Sequence, residues 1–243
     1  MNQIINYKIV ENKKLNHDTY ELCLLGPSDW VKPGQFIEIE IPNKFLRRPM
    51  SICRVEKNKL YLVYKVVGEG TEILANLKKG FELNVLINLG NNFKIKKNKK
   101  SLILAGGCGI GSVFMVAQQM TKLKQDFTLV FGFKTKQDIF YVDELKKIVK
   151  NLIVCTDDGS YGFKGTMIEA IKKNNLQDNY YYACGSTNCL KAIFSNCKNG
   201  QLSLEARMGC GYGVCMGCSI KTKKGFQRVC KEGPIFESKD LLW

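Results

Sequence analysis

Over residues 1–90 apolar and polar side chains alternate in short runs separated by turn residues. IINYKIVE, TYELCLL, GQFIEIEI, PMSICRV, KLYLVYKVV and FELNVLI are rich in β-branched and aromatic residues, as strands with one buried face require. Short strands in close succession predict a small antiparallel barrel. Only GTEILANL, residues 70–77, reads as a helix in this region, and it opens on Gly70 and Thr71.

From Ser101 the pattern changes. SLILAGG, DFTLVFGF, NLIVCTDD and NYYYACGS read as buried strands, with SVFMVAQQMTKL, DELKKIVK, GTMIEAIKK and NCLKAIF as helices between or after them. Such alternation predicts a parallel, Rossmann-like sheet with crossover helices. Past residue 200 glycine and cysteine take over, and KTKKG reads as a hairpin turn between two short strands. The chain is therefore expected to be multi-domain, β plus α/β. Its expected parts are a barrel over 1–97, a nucleotide-type domain over 98–200 and a small module over 201–243.

The last module carries the most specific chemistry. Cys210, Cys215, Cys218 and Cys230 follow C-x4-C-x2-C, then eleven residues and a final Cys, which is the plant-type [2Fe–2S] spacing. Three thiolates on one tight loop reach two irons only if the backbone curls around the inorganic sulfides unobstructed, and Gly209, Gly211, Gly213 and Gly217 give that clearance. A structural zinc site would more commonly pair two short-spaced Cys couples than use a triplet plus a single. The total of 11 cysteines is odd and no signal peptide opens the chain, so a disulfide framework is not expected.

Composition narrows the classes further. The 243 residues carry 37 Lys and Arg against 22 Asp and Glu, for a net charge of +15. The lysines are spread along the whole chain, so a nucleic-acid surface is not expected, and the densest run, KIKKNKK at 94–100, reads as a solvated linker. A basic surface also suits an acidic protein partner. No apolar run is long enough to cross a bilayer, so a cytoplasmic chain without membrane contact is expected. The one histidine, His17, reads as a surface residue, which argues against a hydrolase triad or a His-rich metal site.

Further motifs point to phosphorylated cofactors. Arg48-Pro49-Met50-Ser51 puts a guanidinium, a rigid ring and a hydroxyl at a strand start, and Gly68-Glu69-Gly70-Thr71 leads into the short helix, whose amides suit an anion. Gly106, Gly107, Gly109 and Gly111 stand between a strand and a helix, where a backbone approaches a pyrophosphate closely, although they do not spell G-x-G-x-x-G. Asp157-Asp158-Gly159 and Cys184-Gly185-Ser186 end two other strands, the place where open α/β sheets bind ligands. Adjacent strand residues point to opposite sides, so Asp157 and Asp158 suit ribose contact or loop capping better than a shared metal.

With these motifs in place the chain resembles the ferredoxin reductase-like family. Within it, the chain is most similar to the electron-transfer subunits of class B dihydroorotate dehydrogenases, over nearly its whole length. RRPMSI resembles that family's flavin-ring motif, GEGT its FAD pyrophosphate turn, TDDGSYGFKGTM and YYACGS its nicotinamide motifs, and SLEARMGCGYGVCMGC with RVCKEGPIF its cluster region. The resemblance implies FAD at Arg48, Pro49, Met50, Ser51, Val63, Tyr64, Lys65, Gly70 and Thr71, and one [2Fe–2S] cluster on Cys210, Cys215, Cys218 and Cys230.

It also implies NAD as co-substrate, at Gly107, Gly109, Gly111, Asp157, Asp158, Cys184 and Gly185. The implied partner is an FMN-containing catalytic subunit in a heterotetramer of two of each. Cys184 is either near the flavin–nicotinamide contact or a buried small residue. Lys134 and Lys136 either meet a 2′-phosphate or face water. Cys108, Ser112-Val113-Phe114 and Ser186 depart from the family pattern in the nucleotide domain. Rival readings are a subunit of a related NAD(P)H:ferredoxin or sulfide-type oxidoreductase and a non-catalytic redox-sensing binding protein.

Overall fold

The structure is a computed structural model and describes residues 3–97 and 99–243. Residues 1–2 of the expected barrel, and Asn98 in the basic run, lie outside the described residues. Strands β1 (Gln3–Lys14), β2 (Thr19–Leu25), β3 (Phe36–Ile39), β4 (Arg48–Glu56) and β5 (Lys59–Lys65) are followed by helix α1 (Glu69–Asn76) and strand β6 (Glu82–Leu89). They close into an antiparallel barrel in the order β1-β2-β5-β4-β3-β6. Alternation decides which way each side chain turns. Ile37, Ile39, Met50 and Ile52 fill the barrel, while Phe36 and Leu89 face out and join the core of the next layer.

The second part runs β7 (Ser101–Gly106), α2 (Ile110–Lys122), β8 (Phe127–Phe133), α3 (Val142–Ile148), β9 (Asn151–Thr156), β10 (Phe163–Lys164), α4 (Met167–Lys173), β11 (Tyr180–Cys184), α5 (Thr187–Asn196) and β12 (Gly200–Ser203). The tail adds the hairpin β13 (Ser219–Thr222) and β14 (Gly225–Arg228), then β15 (Ile235–Glu237). Sheet order is β10-β9-β8-β7-β11-β12-β15, parallel except for the β12–β15 pair. Strand order reverses between β7 and β11, which opens a crevice beyond their carboxyl ends. Gly106-Gly107 and Cys184-Gly185 stand at its two sides.

Strands β12 and β15 flank the cluster loop in sequence and are hydrogen-bonded to each other, so the tail is anchored at both ends to the sheet. Neither β10 nor β15 was predicted, because strands of two and three residues are too short to show a period. Helix α2 starts at Ile110, earlier than the run that predicts it, because the glycine turn continues directly into it.

Side chains stitch the parts together. Asn91 Nδ2, beyond the barrel's last strand, donates to the carbonyls of Glu232 (2.7 Å) and Ile235 (2.8 Å) in the tail. The basic linker is held at its backbone: Lys94 N–H donates to Gln201 Oε1 at 2.8 Å and Lys96 N–H to the Tyr182 hydroxyl at 2.7 Å. At the other side of the barrel Arg54 donates to the buried Glu21 carboxylate at 2.9 Å, and Tyr141, leading into α3, donates to the same oxygen. His17 is 56% exposed in the β1–β2 turn, beside Asp18 and Asp138.

Candidate cofactor sites and the cluster loop

Strand alternation divides the Arg48-Pro49-Met50-Ser51 motif. Met50 enters the barrel core, while Arg48 reaches α1 from the barrel rim: a Cβ on Gly70 would lie 2.7 Å from the Arg48 guanidinium. The guanidinium thus lies on the amino end of α1, and only a glycine there leaves it room. Arg47 is engaged elsewhere, with Glu40 at 2.8 Å and the Asn84 carbonyl at 3.0 Å. Among the described residues no carboxylate pairs with Arg48. A cation over free helix amides is a cradle for a diphosphate, and the donor set fits that of a dinucleotide flavin.

Thr71 closes the turn, its hydroxyl accepting from the Val67 and Gly68 amides at 2.9 and 3.2 Å. Of the β5 candidates, Val63 packs in the core shared with α2. Tyr64 turns inward, stacks on Tyr20 and donates to Asn12 Oδ1 at 3.0 Å. Lys65 reaches the open cleft and pairs with Asp18 at 2.6 Å.

Helix α2 brings the nucleotide domain onto the flavin-motif strands. A Cβ on Gly111 would stand 3.8 Å from Ser51 Cβ and 3.9 Å from the Val63 carbonyl. A chain of hydroxyls crosses this junction: Ser203 Oγ donates to Ser112 Oγ at 3.2 Å, and Ser112 Oγ donates to Ser51 Oγ at 2.9 Å. One of the family departures, Ser112, is therefore a link between β12 and β4. Cys184, at the end of β11 between Ala105 and Ser203, is 1% exposed, and burial pushes its thiol up to about 12. Glu205 follows β12, and loss of solvation raises its carboxyl.

The crevice holds a cleft of about 430 Å³. Lys65 and Thr19 of the barrel face it, with the Gly106–Cys108 turn, Lys134 at the end of β8, Asp157, and Cys189 of α5. Gly107, with φ +49°, has open space where a side chain would be, whereas a Cβ on Gly109 would lie 2.3 Å from the Cys184 carbonyl. Gly107 thus leaves room for a ligand; Gly109 permits close packing. Gly185 is similarly tight, 3.1 Å from Cys189 Sγ to its would-be Cβ. Asp157 and Asp158 lie in the turn that follows β9, not on the strand itself, and the turn sends them apart. Asp157 lines the cleft, where lost solvation raises its carboxyl against the opposing Lys134. Asp158 accepts from Ser160 N–H and Oγ–H, at 2.9 and 2.6 Å, and those bonds lower it. Thr19, Met167 and Cys189 line the cleft without any local sequence signal; only the topology brings them there.

In the cluster loop the four thiols gather as two couples. Cys215 Sγ lies 3.4 Å from Cys210 Sγ, and Cys230 N–H donates to Cys218 Sγ at 3.5 Å. Among the described residues no three metal-binding side chains converge on one ion. Two couples suit a centre of two metals with two thiolates each, the donor set of [2Fe–2S], rather than one tetrahedral zinc. Burial alone would raise the Cys210 thiol; the N–H groups of Cys215, Tyr212 and Val214 outweigh it and bring it down to about 6. Burial, then the neighbouring Cys218, raises Cys230. Beneath the loop, on the barrel, lies Glu38, whose carboxyl is raised to about 7 by burial and by Cys210, against Arg47.

A flavin-type barrel, a nucleotide crevice and a cysteine loop on one sheet define a reductase of the ferredoxin reductase-like class that carries its own iron–sulfur centre. The comparisons agree. Residues 205–242 match the iron–sulfur cluster binding domain of dihydroorotate dehydrogenase B, and residues 103–194 match the oxidoreductase NAD-binding domain. Two similar proteins are dihydroorotate dehydrogenase B (NAD(+)) electron transfer subunits. That of Fusobacterium nucleatum is 37% identical, with 96% of each chain covered, and that of Clostridium acetobutylicum is 36% identical, with 97% of this chain and 96% of the relative covered. The chain belongs to this family of electron transfer subunits.

Among solved structures, one of an NADH-dependent reduced ferredoxin-NADP oxidoreductase aligns with TM-score 0.88 and 28% identity, over 98% of this chain and 90% of the other. Phthalate dioxygenase reductase, at TM-score 0.63 and 22% identity over 79% of this chain and 63% of its own, shares the fold.

Proposed function

We propose that this chain is the electron-transfer subunit of a class B dihydroorotate dehydrogenase. It passes electrons taken from dihydroorotate by a catalytic partner to NAD⁺, during orotate formation in pyrimidine biosynthesis. The observation that carries this reading is the two-couple cysteine loop packed on a flavin-type barrel, in a chain that aligns end to end with such subunits. When bound, the cluster supplies one-electron steps and the flavin joins them to the two-electron exchange with nicotinamide. The residues do the rest. Arg48 and the amides of α1 would hold the flavin's diphosphate and Ser51 and Pro49 would line its ring, with Val63 and Tyr64, their side chains in the cores, offering only backbone, and Lys65, Gly70 and Thr71 completing the set.

The nucleotide would occupy the crevice, where Gly107 and Asp157 line the cleft, with Gly109, Gly111, Asp158, Cys184 and Gly185 the further positions that the family resemblance implies. Cys210, Cys215, Cys218 and Cys230 hold the cluster. The parts divide at 1–97, 98–200 and 201–243, with β15 of the last completing the sheet of the second. No carbon acid–base machinery is assigned to this chain, because oxidation of dihydroorotate belongs to an FMN-containing partner, two of each subunit forming a heterotetramer.

The partner's docking face is the open side of the cluster loop. Cys210 and Cys215 are half-buried where Cys218 and Cys230 are buried, and exposed Ile4, Phe45, Tyr212, Val214 and Met216 surround or adjoin that side. Electrons must enter there if they are to reach the flavin through the cluster. A cytoplasmic setting fits the thiol chemistry: four cysteines are assigned to the cluster, and none of the other seven is paired in a disulfide. No helix among the described residues is long and apolar enough to cross a membrane.

The test is to tag the chain in its host, identify what co-purifies, and assay dihydroorotate-dependent NAD⁺ reduction with the visible spectrum. A flavoprotein partner, FAD, iron and sulfide, and orotate are expected. A partner oxidising another substrate would overturn the pyrimidine reading.

A further inference from the structure

Glu38 is a buried carboxyl in the barrel wall. It is 1% exposed, and among the described residues neither carboxyl oxygen has a hydrogen-bond partner. Its packed neighbours on the outer face of the barrel are apolar: Leu86 is its β6 partner, and Phe36, two residues back on the same face, packs with Leu89, while Arg47 shares the recess without donating to it. A leucine would pack there without loss, whereas a buried carboxyl with no hydrogen-bond donor is destabilising. Something specific to a carboxyl therefore holds the position.

What lies against it is the cluster loop. A Cβ built on Gly211 would fall 2.3 Å from Glu38 Oε2 and 2.7 Å from Oε1. The carboxyl thus faces the Cα of the residue after Cys210, and Gly211 has φ +73°, a turn conformation that suits glycine. The strand on the other side of Glu38 is the flavin-motif strand: Glu38 pairs with Pro49, and Phe36 with Ser51. One rung of the sheet therefore joins the contact under the cluster loop to the flavin wall.

We propose that Glu38 is the positioning residue of the cluster loop, the polar seat on the flavin barrel against which the Cys210-Gly211-Tyr212 turn closes. The backbone N–H of Gly211, one bond from the Cα that the carboxyl faces, is the donor that closes on it when the loop is tightened around its cluster. Loop and flavin strand are thereby held at a fixed separation by one side chain. This inference rests on the assignment of the cluster to the four cysteines.

The test uses the holoprotein, with FAD and cluster, in wild-type, Glu38→Leu and Glu38→Gln forms. Three quantities are read: FAD content, the rate at which a chelator bleaches the cluster, and the rate of cluster reduction after mixing with NADH. Glu38→Leu is expected to keep its FAD but to release the cluster roughly tenfold faster and to slow its reduction, the scale of one lost polar contact. Glu38→Gln, which keeps an acceptor oxygen, is expected to stay within about threefold of wild type.

A side chain that merely fills space would leave Glu38→Leu at wild-type rates, and that result overturns the proposal. Absence of a cluster spectrum from wild-type protein would instead sink the cluster assignment. If Glu38→Leu does not fold, Glu38→Ala is read in the same three assays beside Glu38→Gln. Faster cluster loss in Glu38→Ala with FAD retained and near wild-type behaviour in Glu38→Gln supports the seat, and equal rates in the two refute it.

Discussion

Neighbouring arginines have separate employments. Arg47 belongs to the barrel's own surface network, whereas Arg48 lies over the first turn of α1 and pairs with no acid among the described residues. Arg48→Ala should therefore fold normally and weaken FAD binding by roughly 10- to 100-fold, the range of a charge-assisted bond to phosphate. Gly70→Ala should do the same from the other side. Its methyl meets only the mobile end of Arg48, so the guanidinium moves and the fold stays. Arg47→Ala should leave FAD affinity alone and cost about 1–2 kcal/mol of stability, because the pair with exposed Glu40 is weak and the bond to the Asn84 carbonyl is lost with it. Flavin fluorescence titration and urea unfolding separate the two outcomes.

The motif itself was legible in sequence, since a guanidinium, a proline and a helix start recur in a fixed order. Glu38 was not, because in FIEI it reads as the solvent position of an alternating strand. The cluster loop covers that face, and a covering element from 170 residues away leaves no trace in local pattern.

At the scale of elements, barrel and nucleotide sheet are joined by more than apolar contact. Glu21 of β2 is buried and receives Arg54 of β4 and the hydroxyl of Tyr141, at the amino end of α3. Arg54 also lies over the Tyr61 ring, 3.5 Å from its centroid. Burial comes first in raising the Tyr141 phenol, with Cys53 and Glu21 adding to it, so it remains a donor at every working pH. Tyr141→Phe strips one donor from a buried carboxylate and should cost about 1–3 kcal/mol. Arg54→Met leaves that charge without its cation and should cost about 3–5 kcal/mol. Urea unfolding with intrinsic fluorescence measures both; equal, small losses would mean that Glu21 is solvated after all. Strand and helix runs were readable here from their periods, but the lock was not. Glu21, Arg54 and Tyr141 come from three elements and each alone is an ordinary surface-type residue.

For the whole molecule, one arrangement explains why the open and closed sides of the cluster loop differ. Cys218 and Cys230 are packed in the core that contains Leu202, Phe236 and the barrel's Phe36, so that side is sealed by the chain itself. The Cys210 side ends in exposed apolar groups, among them Phe45 at 99% and Val214 at 74% exposure. A large apolar surface left open beside a redox centre is expected where a partner seals it. Phe45→Ser with Val214→Ser should lower affinity for the catalytic subunit by roughly 30-fold or more, the scale of losing interface anchors.

FAD content, the cluster spectrum and NADH reduction of an artificial acceptor should be unchanged, because neither side chain holds a cofactor. Light scattering with titrated partner measures the affinity. An unaltered complex would place the partner elsewhere, and electrons would then need another way into the chain. The existence of this face could not be read from the sequence, where Phe45 and Val214 are separated by the whole nucleotide domain. Only the fold, which anchors the tail on the sheet and lays its loop on the barrel, brings Phe45 into one recess with Cys210 and Tyr212 of the loop that carries Val214.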